Sequence, residues 1–127
     1  FIGTTGDGWQ KPVETFPRLL DELWQEGLRI LHISNWEYDQ PVLPGELAPA
    51  HGGDRVPLHV AARAHWKGQV IGVGSLGVER AERAIAEGEI DVAAFGRALI
   101  ANPDFVCRAK AGEPMRDYAP EMLESLV

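Results

Sequence analysis

The runs QVIGVG (69–74) and IDVAAFG (90–96) each end on a glycine, and one helix-length segment separates them. That arrangement constrains the chain more than any other part of it. A buried apolar strand, an amphipathic helix and a second buried strand make a right-handed crossover, so the strands are parallel and their C-terminal ends share one sheet edge. Between them Val78, Ala81, Ala84 and Ile85 fall at helical spacing, and Gly88 supplies the stop.

The alternation continues in both directions. Phe16, Leu19, Leu20, Leu23 and Trp24 mark a helix over 15–27, with Thr15 as its N-cap, Pro17 in its first turn and Gly27 at its end. LRILHIS (28–34) reads as a strand with both faces largely apolar. Residues 35–55, rich in Pro, Gly and polar side chains, read as a long loop. A helix follows over 56–66, and Asn102-Pro103-Asp104 reads as the N-cap, N1 and N2 of a C-terminal helix. Helix and strand therefore alternate, which is an α/β architecture. Three such strands are too few for a whole α/β barrel of roughly 250 residues, so they are half of a doubly wound sheet or the last part of a barrel.

With 127 residues, 45% of them hydrophobic and 24% charged, the composition is that of a soluble globular domain. A net charge of −7 argues against a broad nucleic-acid or anionic-membrane surface, but leaves room for a local anion site. No apolar run approaches the ~20 residues that span a bilayer. The single cysteine, Cys107, rules out an internal disulfide and suits a reducing cytoplasm; its place in the last helix suggests a packed thiol. The opening Phe1 and the glycine-rich GTTGDG behind it read as the start of a piece of a longer polypeptide.

Gly72, Gly74 and Gly77 spell G-x-G-x-x-G, a pattern shared by dinucleotide-binding folds and phosphate cradles. The dinucleotide reading requires an acid at the far end of the next strand, to hold a ribose hydroxyl. Asp91 stands instead at the start of that strand, and its far end carries Gly96 and Arg97. The phosphate reading uses what is present. Neighbouring strands lie ~4.8 Å apart, so the turns after VGS and FGR can reach one phosphate. Gly74 and Gly96 allow close backbone approach, a helix N-terminus follows, and Arg97 offers a bidentate, always-charged partner. Gly72 is better explained by close packing of strand on helix.

The remaining candidates are weaker. His32 and Ser34 could line the same edge, although a hydrogen-bonded structural role suits His32 better. Trp36 and Tyr38 follow that strand and either wall a pocket or pack on the helices. His51, His59 and His65 show neither i, i+4 pairing nor a nearby cysteine, so no metal site is expected. No Gly-x-Ser-x-Gly indicates hydrolysis.

The segment VIGVGSL…AERAIAEGEIDVAAFGRALIANPDFVCRAKAGEP resembles the C-terminal end of the old yellow enzyme family, the FMN-dependent NAD(P)H:flavin oxidoreductases. The likeness is strong over residues 69–118 and weaker back through 15–34, and DVAAFGRALIANPDFV is its most specific part. It implies an eight-stranded (β/α)8 TIM barrel whose sixth, seventh and eighth strands lie in this chain, with FMN at their C-terminal ends. It further implies that Gly74, Ser75, Gly96 and Arg97 hold the FMN phosphate, that NAD(P)H is the co-substrate, and that a small activated alkene is reduced. The family's substrate-binding His/Asn or His/His pair and its proton-donating tyrosine come from earlier strands. The chain then carries no catalytic residue and is expected to be inactive alone, with self-association of an incomplete barrel. FIGTTGDGWQ also departs from the Arg-x-Ser-Pro-like pattern common at the fifth strand.

Overall fold

The computed structural model of the chain describes residues 2–3 and 11–126. Along them follow β1 (Ile2–Gly3), α1 (Pro12–Gln25), β2 (Ile30–Ser34), β3 (Pro41–Pro44), β4 (Arg55–Pro57), α2 (Leu58–His65), β5 (Gln69–Val73), α3 (Val78–Ala86), β6 (Val92–Ala93), α4 (Arg97–Ala101) and α5 (Phe105–Ala111). Short 3-10 turns cover Gly45–Leu47, Pro49–His51 and Pro120–Leu126. No helix among the described residues is long and apolar enough to cross a membrane.

One sheet runs in the order β1-β2-β5-β6, every pair parallel, with Ile33 opposite Gly72 and Gly72 opposite Ala93. The spatial order is the chain order, so these strands contain no reversal of the kind that splits a doubly wound sheet. Coverage agrees with that winding. Leu31, Ile33 and Val70 point to the helices and are buried, with Phe16, Leu20, Ala61, Ala62, Ala81 and Ala84 packed over them. The alternate row is open: Ile30 is 50% and Val92 47% exposed, and His32 stands beside Ile71 between them. β2, apolar on both faces, is thus buried on one only, and the expected burial of the β6 strand is corrected at Val92. The apolar open face of β2 is made for a second layer that these strands do not supply.

Boundaries moved where prolines intervene. The first helix starts at Pro12, with Lys11 as N-cap at φ 54, not at Thr15, whose hydroxyl donates to the Lys11 carbonyl at 3.0 Å. Proline's fixed φ makes Pro12 the better first residue and leaves Pro17 inside the helix. The helix ends as expected, at a left-handed Gly27 whose N–H donates to the Trp24 carbonyl at 3.1 Å. Residues 35–55 are not a plain loop: β3 and β4 form an antiparallel ribbon whose four strand ends include Pro41, Pro44 and Pro57. Val56 and Pro57 belong to that ribbon, so α2 begins at Leu58.

Asn102 is also not an N-cap. It closes α4, is fully buried, and clamps the C-terminal segment: its Nδ2 donates to the Ala98 and Arg116 carbonyls at 3.0 Å, and its Oδ1 accepts from the Arg116 N–H at 2.8 Å. Both Arg116 backbone groups lose their partner in Asn102→Ala, while the Ala98 carbonyl keeps the Asn102 N–H at 3.0 Å, so the expected cost is about 1–3 kcal/mol. Trypsin should then cut faster at Arg116 at unchanged enzyme concentration; an unaltered cleavage rate would show that the clamp holds nothing. Cys107, expected to be packed, is exposed on α5.

Candidate functional site

The turns after β5 and β6 meet at the C-terminal edge of the sheet. Gly74 has φ 155 and is buried, because the loop 35–40 crosses directly over it: its carbonyl accepts from the Tyr38 N–H at 2.8 Å. A Cβ there would stand 2.7 Å from the Asn35 carbonyl oxygen and 2.8 Å from the Tyr38 nitrogen. Ser75 follows at φ 49, a left-handed conformation that a non-glycine residue seldom takes, and it turns its hydroxyl toward the same loop. That hydroxyl lies 3.0 Å from the Trp36 carbonyl and 2.9 Å from Glu37 Oε1.

Arg97, first residue of α4, reaches this point from the other turn. Its Nη2 donates to Ser75 Oγ and, at 3.1 Å, to the Trp36 carbonyl. Its guanidinium lies 4.2 Å from the centre of the Trp36 ring, which is 71% exposed. Arg97 has no carboxylate partner among the ion pairs of the described residues. In front of Gly96 and Gly77, the N-caps of α4 and α3, a Cβ would meet nothing within 4 Å. Ser75 and Arg97 are thus brought together, with Gly96 next to Arg97 in the chain, whereas Gly74, expected to let a phosphate approach its backbone, is covered by the loop 35–40. The open glycines Gly77 and Gly96, a hydroxyl and a guanidinium without a counter-ion among the described ion pairs fit a phosphate, with the Glu37 carboxylate an unfavourable neighbour.

Gly72 marks a close approach, but the expected helix is not its partner: Ile90, just ahead of β6, and Tyr38 of the loop fill the space. A Cβ there would lie 2.8 Å from Ile90 Cγ2 and 3.0 Å from Tyr38 Cε2. Tyr38 enters that space and separates itself from Trp36: only 5% exposed, it stacks on His59 at 4.0 Å between ring centres and 4° between planes.

Around this stack stands a cluster that no sequence spacing announced. Arg80 donates to both oxygens of Asp39 at 2.9 and 2.6 Å and to Glu89 Oε2 at 2.7 Å. The Tyr38 hydroxyl donates to Glu89 Oε2 at 3.1 Å, and His59 Nε2 lies 3.4 Å from it. Asp39, His59 and Glu89 offer ligand atoms within 4.8 Å of one another, but the Arg80 guanidinium bridges the two carboxylates where a cation would sit. Burial pushes the Tyr38 phenol far above its ordinary range, and the Glu89 carboxylate adds to this. Burial also lowers the His59 imidazole, against the pull of Glu89 and Asp39, so it is held neutral. The Arg80 hydrogen bonds hold the Asp39 carboxyl below the usual range. Behind the cluster, at the opposite end of the strands, a cavity of about 460 Å³ opens between α2 and the turn Glu87–Glu89. Its walls combine Ala48, Pro49 and Ala50 with His59, Arg63 and Glu89, and it does not reach Ser75, Gly77 or Gly96.

A parallel sheet wound in one direction, with helices on one face and polar groups converging at the strands' C-terminal edge, defines the class as α/β. The chain belongs to the NADH:flavin oxidoreductase / NADH oxidase family, whose model matches residues 9–116. That family is one of FMN-dependent oxidoreductases. The chain is 36% identical over 73 residues to a probable flavin mononucleotide-dependent alkene reductase of Leishmania infantum, 58% of this chain and 19% of that protein. Its fold matches the old yellow enzyme of Trypanosoma cruzi with a TM-score of 0.67 and 27% identity, over 89% of this chain and 27% of the other. Morphinone reductase gives 0.64 and 28%, over 89% and 28%. The chain therefore spans about a quarter or less of the relatives it matches.

Proposed function

We propose that this chain is the C-terminal part of an FMN-binding (β/α)8 barrel and that its own contribution is the hold on the FMN phosphate. The convergence of Ser75 and Arg97, from two different strand-end turns, carries this reading. Sequential winding with one open face supports the barrel over a doubly wound sheet. In the proposal, the backbone N–H groups of the exposed Ser75 and Gly96 and the Ser75 hydroxyl donate to the phosphate oxygens, and Arg97 supplies the charge. Trp36 keeps the Arg97 fork pointed at the turn. Bound FMN supplies hydride transfer from NAD(P)H to a small activated alkene. The groups that orient the alkene belong to other strands, so the chain alone is proposed to be inactive and, with open edges at β1 and β6, to self-associate.

A titration of the chain with FMN, with riboflavin and NADP as controls, tests the proposal through flavin fluorescence, with size exclusion run in parallel. FMN is expected to bind more tightly than riboflavin, and the free chain to elute above its monomer size. Equal affinity for FMN and riboflavin would remove the phosphate reading. NADP binding without FMN would restore the dinucleotide reading, and a protease-resistant monomer would count against the incomplete barrel.

A further inference from the structure

The loop 35–40 has two halves with different duties. Trp36 and Glu37 face Ser75 and Arg97. Tyr38 and Asp39, next in the chain, are tied into the helix layer, Tyr38 by its stack on His59 and Asp39 by the two-pronged bond to Arg80. Arg80 lies in α3, three residues beyond Gly77, on the helix that follows the Gly74–Ser75 turn. Its side chain is 19% exposed and held from behind by Glu89. One guanidinium thus fixes the loop to the element that carries Ser75, and a displacement of Asp39 moves the Trp36 carbonyl and the Glu37 carboxylate against the cradle.

We infer that the Asp39–Arg80 pair positions the loop so that the Ser75–Arg97 site accepts a phosphate-bearing ligand. Asp39 is a positioning residue and touches no ligand. The inference rests on the phosphate reading above, and it makes a prediction whose sign is opposite to that of simple electrostatics. By Coulomb's law alone, removing a carboxylate near a site for a dianion strengthens binding. By positioning, Asp39→Asn weakens it, because the loop and Glu37 are released over the donors.

The test is an amide-resolved NMR titration of the whole chain with FMN and with riboflavin, read at Ser75, Gly96 and Arg97. Asp39 is 58% exposed and Glu89 still neutralises Arg80, so Asp39→Asn is expected to fold. FMN should bind it roughly three- to tenfold more weakly than it binds the parent, with riboflavin changed by less than about twofold. Arg80→Lys, which keeps the charge and loses the fork, should show the same selective loss in smaller degree. Glu37→Gln, which removes a charge without touching the anchor, should tighten FMN. Unchanged or tighter FMN binding in Asp39→Asn would overturn the inference and leave the phosphate reading standing. Equal losses for FMN and riboflavin would reduce the pair to general stability and also overturn it. A parent chain that does not distinguish FMN from riboflavin would overturn both.

Discussion

Arg97→Ala is expected to weaken FMN by about 10- to 100-fold while changing riboflavin by less than about threefold, because a hydrogen bond to a charged group is worth about 1.5–3 kcal/mol. Arg97 stacks on an exposed Trp36 and donates to Ser75 and to a backbone carbonyl, with no acid of its own among the described ion pairs. Its charge is therefore available to a dianion. Arg97→Lys keeps that charge but loses the planar fork and the stack, so an intermediate loss is expected. Fluorescence titrations of the three proteins with both flavins decide the matter. A loss shared equally by FMN and riboflavin would move Arg97 from the phosphate to the architecture of the turn.

Gly74→Ala is expected to destabilise the chain by about 2–4 kcal/mol, combining overpacking with a backbone conformation alanine resists. The clash is with backbone on both sides, the Asn35 carbonyl and the Tyr38 nitrogen, so no side-chain rotation relieves it. The loop 35–40 must lift, losing the Tyr38–Gly74 hydrogen bond and disturbing the Tyr38–His59 stack. Gly77→Ala is the internal comparison. Its φ is −84 and its Cβ meets nothing within 4 Å, so under about 1 kcal/mol is expected, the ordinary difference between residues at an N-cap. Urea midpoints of the two variants should separate clearly; coincident midpoints would mean that the crossing of loop over turn is soft.

Much of this was legible in the sequence where one physical signal dominated. The strands at β5 and β6 announce themselves as unbroken apolar runs, and parallel pairing then puts Ser75 and Arg97 at one edge without further information. The close approach at Gly72 is legible because a glycine inside a strand marks one, but the partners, Ile90 and Tyr38 in place of a helix, are not. The ribbon of β3 and β4 stayed hidden because Pro41, Pro44 and Pro57 suppress the strand signal, yet prolines are tolerated on edges. β1, two residues ending on a glycine, carries no periodicity at all. The Asp39–His59–Arg80–Glu89 cluster was invisible for a different reason. Its members come from four separate elements, and only folding makes their charges neighbours.

The open row formed by Ile30, His32, Ile71 and Val92 bears on how such a stretch of chain can be exchanged between related proteins. Placed in a barrel of the kind proposed, these strands would bring their own helical cover on one face and leave this row to be filled from across the interior. The graft would depend on whether the recipient's inward-facing side chains interlock with this row, more than on the quality of the join. Recombination sites flanking such a segment are therefore judged by side-chain volume across the barrel's interior, a property that neither parent's sequence displays locally.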